Sequence, residues 1–169
     1  ARLRDFDADL FVTAAYGQIL SADLLAIPRL GAINLHASLL PKYRGAAPIQ
    51  FAVINGETET GITIFQIEPK LDAGPILGIV KTDISDRETY GELQDRLADL
   101  AVPLAVQVIN EISTQTTNPT IQDATLVTKA PRLKKEDGVI PWDKSSRLAC
   151  CHIRGVQPWP KPSTTLHFH

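Results

Sequence analysis

At 169 residues, 44% apolar and 21% charged, the chain has an ordinary globular composition and enough length to bury a sizeable core. No apolar run approaches the roughly 20 residues of a membrane span and the start has no signal-peptide layout, so no membrane association is expected. A formal charge of −2 leaves no overall electrostatic footprint for nucleic acid, and the only cysteines, the adjacent Cys150 and Cys151, suit neither a disulfide framework nor a thiolate metal site, which points to a reducing, intracellular setting.

Residues 2–9 read as the end of a helix running into a strand, and residues 9–15 form a continuous apolar run of strand length, as expected of a buried parallel strand with helices on both faces. Residues 16–20 follow as a loop. Ligands of open α/β sheets sit beyond the carboxyl ends of strands, which makes this loop a candidate binding edge, although Gly17 taken alone reads more simply as a plain turn. Ser21, Ala22 and Asp23 cap a short helix that Pro28 ends. In the next segment Ile33 and Leu35 alternate with Asn34 and His36, so a strand here carries both polar side chains on one face, roughly 7 Å apart, close enough to converge on one small group. The same pair also suits a satisfied, partly buried histidine beside a turn-capping asparagine.

Ser38, Pro41, Gly45 and Pro48 then break the strand pattern. Lys42, Tyr43 and Arg44 form a short basic and aromatic patch, read either as a solvated loop or as a contact for a ligand tail or an RNA end. A helix over residues 46–54 is entered at Pro48 and stopped by Asn55 and Gly56. Residues 61–67 alternate as a strand that exits into a turn holding Asp72, and a partner strand over 76–84 returns in hairpin fashion through Gly74. Thr89 and Glu92 make a capping box, and Leu93, Leu97, Leu100, Ala101, Leu104, Val108 and Ile112 mark one helical face, with Pro103 expected to kink or split the helix. Residues 113–128 are polar, threonine-rich loop. Residues 130–138 concentrate cations as in an exposed interdomain linker, residues 145–153 form a short helix, and the proline and tryptophan segment 155–162 packs across the domain. The order of strands and helices fits a doubly wound, mostly parallel α/β sheet with helices on both faces.

Asn34-x-His36-x-Ser38-Leu39-Leu40-Pro41 followed by an aromatic, Arg44 and Gly45, and then Gly61-x-Thr63-x-Phe65-x-x-Glu68-x-x-Leu71-Asp72-x-Gly74-x-x-Leu77, resembles the folate-dependent formyltransferase family. The resemblance covers nearly the whole chain. It implies formyl transfer from the co-substrate 10-formyltetrahydrofolate to an amine without a metal, and a monomeric enzyme working in the bacterial cytoplasm or, in a eukaryote, an organelle matrix. Arg44 to Gln50, Lys135 to Gly138, Trp142 and Pro158 to Pro160 most resemble the branch whose acceptor is initiator methionyl-tRNA. By the same resemblance Asn34, His36 and Asp72 are catalytic, Ser38, Leu39, Leu40 and Pro41 form the folate-binding segment with the Ser38 hydroxyl in contact, and Gly17, Gln18 and Leu20 help hold the pterin ring. Residues 1–128 then correspond to the later part of a catalytic domain and residues 129–169 to a linker and the start of a β-barrel domain. His167 and His169 mark that boundary, not a metal site.

Formyl transfer fixes what those side chains would do. Asn34 would donate to the oxygen where charge develops; His36 would supply a second donor and move a proton; Asp72 would raise the proton affinity of the imidazole and fix a shuttling water. Two other readings keep their place: formylation of glycinamide ribotide or an amino sugar nucleotide, and a non-catalytic α/β binding domain. A nicotinamide dehydrogenase is disfavoured by the lack of a Gly-x-Gly-x-x-Gly turn after a strand.

Overall fold

The computed structural model describes residues 2–165, so His167 and His169 lie outside the described residues. After a 3-10 turn at Arg2–Phe6, strands β1 (Phe11–Ala14), β2 (Ala32–His36), β4 (Glu59–Gln66) and β5 (Ile76–Asp83) form a mixed four-stranded sheet in the order β1-β2-β4-β5. β1 runs parallel to β2, while β2, β4 and β5 pair antiparallel. β3 (Arg44–Gly45) and β6 (Lys129–Ala130) make a separate parallel ladder. Helices α1 (Ala22–Leu25), α2 (Pro48–Ile54), α3 (Tyr90–Ser113) and α4 (Ser146–Gly155) complete an α/β fold.

Register sorts the sheet into a chemical face and a packing face. Thr13 pairs with Asn34, Asn34 with Phe65, and His36 with Thr63, and cross-strand partners point the same way, so these five side chains share one face. Ile33, Leu35, Ile62 and Ile64 share the other, where they pack with Leu93, Leu97, Leu104 and Val108 of α3 in the main core. The approach is close: a Cβ on Gly78 of β5 would lie 2.8 Å from Val108 Cγ2 and 3.1 Å from Leu104 Cδ1. β1 differs from the sequence expectation of a fully buried strand. Among the described residues its strand neighbour is β2, and the run alternates between half-buried Phe11 and Thr13 and exposed Val12 and Ala14.

The helix signals hold. Ser21 Oγ accepts from Leu24 N at 3.3 Å, Pro48 opens α2, and Thr89 and Glu92 form the capping box of α3. α4 packs on α2, and Val156 just beyond it closes a small cluster with Ala47 and Leu133. The residues after α4 return to α3, where Gly91 N donates to Gln157 O at 3.3 Å. Within segment 130–138 Ala130, Leu133 and Gly138 are buried, while its charged side chains of both signs face water.

Pro103 does not split the long helix, which runs unbroken for 24 residues. The reason lies in its position. Pro103 is exposed, opposite the buried stripe, so the Asp99 carbonyl that loses an amide partner is free to bond water. Replacing Pro103 by Ala restores that bond at a solvent-facing site, and urea unfolding of the full-length protein is expected to show a gain of about 1–3 kcal/mol; unchanged or lower stability would contradict this reading.

Candidate active site

The strand that the sequence singles out ends on the chemical face with His36 at its last position, 5% exposed. Its Nε2 lies 2.9 Å from the Tyr43 carbonyl oxygen. A carbonyl can only accept, so Nε2 carries the proton, and in the neutral ring Nδ1 is left with a lone pair. Nδ1 faces Asp72 Oδ2 at 3.9 Å, beyond a direct hydrogen bond but within reach of one shared donor. Burial pushes the imidazole pKa below its ordinary value; Asp72 and the Tyr43 carbonyl oppose the shift without reversing it, and the Arg44 guanidinium adds to it. His36 is thus neutral at neutral pH. This corrects one expected role, because its N–H is engaged by Tyr43 and cannot serve as a second donor to substrate oxygen. What remains is an acceptor, Nδ1, opposite another acceptor, Asp72 Oδ2. Two such groups 3.9 Å apart form a receptor for an O–H or N–H brought between them.

Asn34 is half-buried on the same face. Thr13 Oγ1 donates to Asn34 Oδ1 at 2.8 Å, which turns the amide NH2 away from β1, and no partner for Nδ2 occurs among the described residues. The structure thus brings Asn34 and His36 together as the alternation predicts and adds Thr13, which the sequence reading takes as part of an apolar strand. Only the polar residue in that run could have flagged it.

The two partners of His36 come from loops with unusual backbone. Tyr43 has φ of 61° and Asp72 φ of 47°, both in the left-handed region that a bulky residue rarely enters. Tyr43 is anchored at three points: its N–H donates to Thr128 Oγ1 at 2.8 Å, its hydroxyl donates to Glu57 Oε1 at 2.6 Å, and that hydroxyl accepts from Asn55 Nδ2 at 3.2 Å. Burial and the Glu57 carboxylate push the phenol pKa up to about 12. The reading of residues 42–44 as a solvated patch therefore fits only Lys42, since Tyr43 is buried and Arg44 half-buried. Asp72 Oδ2 accepts the Gly45 N–H at 2.8 Å. Gly45 itself has φ of 126°, and a Cβ there would meet the Ala130 carbonyl oxygen at 2.5 Å, so β6 presses directly behind the Asp72 contact.

Ser38 corrects another expectation. It is fully buried; its hydroxyl donates to the Lys42 carbonyl at 2.7 Å and its carbonyl accepts from Thr63 Oγ1 at 2.7 Å, so the hydroxyl is turned to the loop's own backbone and braces it. The Leu40 N–H is likewise taken, by Thr63 Oγ1 at 3.1 Å. Leu39 and Pro41 are partly accessible, Gly17 and Gln18 are exposed, and Leu20 is half-buried. Gln122, missed by sequence reading, is 8% exposed beside the Asp72 turn. Among the described residues no group of His, Cys, Asp and Glu could hold a metal ion, and no helix is long and apolar enough to cross a membrane.

Comparison with known proteins sets this geometry in context. Residues 1–109 match the family described as Formyl transferase, and residues 132–167 match Formyl transferase, C-terminal domain. The chain is 47% identical over 164 residues to a methionyl-tRNA formyltransferase of Nitratidesulfovibrio vulgaris (strain DP4), covering 97% of this chain and 50% of that protein. It is 46% identical over 165 residues to the methionyl-tRNA formyltransferase of Staphylococcus aureus (strain JH1), covering 98% and 53%. The chain thus spans about half the length of the curated relatives it matches. Among solved structures, WlaRD, a sugar 3N-formyl transferase in the presence of dTDP and 5-N-formyl-THF, superposes with a TM-score of 0.81 at 20% identity over 95% of this chain and 60% of its own. At that identity the likeness concerns the fold.

The depressed His36 pKa has a consequence for stability. The unfolded imidazole takes up a proton below its ordinary value of 6.5 while the folded one resists it, so stability is unaffected above that pH and falls as pH drops toward the folded pKa. His152, also depressed by burial, acts in the same window. Urea unfolding from about pH 7 to about pH 5 is expected to show a loss of up to about 1.4 kcal/mol per pH unit for each fully differential proton, and a flatter profile in His36→Asn. Equal slopes in the two proteins would contradict a neutral, buried His36.

Proposed function

The chain belongs to the formyl transferase family, and from that premise we propose that it carries the reaction centre of a methionyl-tRNA formyltransferase, which moves a formyl group from 10-formyltetrahydrofolate to the amino group of initiator methionyl-tRNA in translation initiation. The observation that carries the proposal is the acceptor pair His36 Nδ1 and Asp72 Oδ2, 3.9 Å apart, on the same face as an Asn34 amide whose oxygen is fixed by Thr13. Identity of 46–47% to curated methionyl-tRNA formyltransferases supports the acceptor. The 5-N-formyl-THF named with the sugar formyl transferase supports a folate donor.

The donor set fits that chemistry. Bound 10-formyltetrahydrofolate supplies the formyl carbon and a nitrogen leaving group. Asn34 Nδ2 donates to the formyl oxygen as negative charge builds there, an interaction stronger in the transition state than before it. His36 Nδ1 accepts the proton that the attacking amine must lose, directly or through the one water that the gap to Asp72 admits, and returns it to the leaving nitrogen. Atoms balance: a C–N bond forms to the amine, the C–N bond to the folate breaks, and one proton crosses. Asp72 stabilises the imidazolium formed in passing by its charge. Gly17, Gln18 and Leu20 beyond β1, with Leu39, Leu40 and Pro41, form the edge that takes the pterin ring, Ser38 bracing it from within. Residues 1–128 act as part of the catalytic domain, and residues 129–169 as linker and start of a second domain, a division supported by the separate C-terminal family match over 132–167.

In the full-length protein, single-turnover assays are expected to show formylation of methionyl-tRNA in preference to glycinamide ribotide or an amino sugar nucleotide. Asn34→Ala should lower the rate about 10²- to 10³-fold, the usual effect of losing an oxyanion donor. Formylation of the amino sugar alone would reassign the acceptor, and no transfer to any of the three would sink the enzyme reading.

A further inference from the structure

Gln122 lies in the polar segment that sequence reading treats as plain loop, yet it is 8% exposed and its amide is fully engaged. Nε2 donates to the Asp72 carbonyl at 2.9 Å and to the Gly74 carbonyl at 2.8 Å, while Oε1 accepts from Arg44 Nη2 at 2.6 Å and Nε at 3.2 Å. One side chain therefore uses both donor hydrogens and both acceptor positions to tie the Asp72 turn to the loop that carries Arg44 and Gly45. That turn needs tying. Asp72 sits at φ of 47°, and its carboxylate must reach Gly45 N at 2.8 Å while staying 3.9 Å from His36 Nδ1. A turn held only by its own backbone would leave the Asp72 and Gly74 carbonyls to water and the carboxylate free to swing outward.

We propose that Gln122 is a positioning residue of the reaction centre, holding the backbone of Asp72 so that its carboxylate stays opposite the free nitrogen of His36. The proposal deepens the formyl-transfer reading and rests on it for the meaning of that juxtaposition. It predicts an effect on His36 that general loss of stability would not cause. The charged groups acting on the imidazole are Asp72, which favours the protonated ring, and Arg44, which disfavours it, and Asp72 acts more strongly. Uncoupling both from Gln122 therefore moves the His36 titration further down in pH.

The test uses full-length protein in wild-type form and as Gln122→Met, which keeps the length of the side chain and removes its hydrogen bonds. Methionyl-tRNA formylation should lose roughly 10-fold or more in kcat, with KM for the folate within about twofold. NMR titration of the His36 ring should show a lower midpoint, and in an Asp72→Asn background, where only the opposing Arg44 effect is left, Gln122→Met should not lower the midpoint further. A folded Gln122→Met protein with an unmoved His36 titration overturns the proposal, whether or not its rate falls. If that variant does not fold, the wild-type protein decides: the Gln122 side-chain amide protons should be protected from exchange, and solvent-like exchange overturns the proposal. Failure of formyl transfer by the wild-type protein would defeat the functional reading instead, and the titration and exchange results would still stand on their own.

Discussion

The Tyr43 carbonyl accepts a hydrogen bond from the Nε2–H of His36, and that one bond decides which nitrogen is left for chemistry. A buried imidazole with no carbonyl partner could place its proton on either nitrogen, and an Nδ1–H would simply bond Asp72 and close the site. With Nε2–H held, Nδ1 and the Asp72 carboxylate face each other as acceptors, a costly arrangement inside a protein unless a donor enters between them. Burial works in the same direction by keeping the ring neutral. An amine that sheds a proton as it attacks is the kind of visitor this arrangement favours.

Everything around the imidazole maintains that constraint. Tyr43 and Asp72 both adopt left-handed backbone, a conformation that persists only where the surroundings over-determine it. Tyr43 is held by Thr128, Glu57 and Asn55; Asp72 is held by Gly45 through its side chain and by Gln122 through its backbone. β6 joins the two sets of supports, since Lys129 and Ala130 pair with Arg44 and Gly45 directly after Thr128. The stretch 120–130, far along the chain from His36, thus supplies Gln122, Thr128 and the β6 ladder that hold the loops around the imidazole. On the opposite side of the sheet α3 presses on Ile33, Ile62 and Ile64, which fixes β2 and with it the direction in which Asn34 and His36 project.

What the sequence made legible follows from local rules. The period of two in β2 put Asn34 and His36 on one face, Ser21, Pro48 and the Thr89–Glu92 box marked helix starts, and Gly74 marked the hairpin return. What it concealed depends on contacts between distant segments. Gln122 and Thr128 are polar residues in a polar stretch, with no local pattern to set them apart from solvated loop. Thr13 looked like a strand former in an apolar run. Ser38 looked like a ligand contact until its burial under the Lys42 carbonyl was visible, and Pro103 looked like a break until its solvent-facing position explained why the helix tolerates it. The neutrality of His36 was hidden for the same reason, because the balance between desolvation and the Asp72 charge is set by packing and not by spacing.

The most direct measurement is the tautomeric state of His36, read from the nitrogen chemical shifts of its ring in long-range proton–nitrogen NMR spectra of the full-length protein near neutral pH. The account predicts a neutral ring with its proton on Nε2 and a bare Nδ1. A proton on Nδ1, alone or together with Nε2, would contradict it.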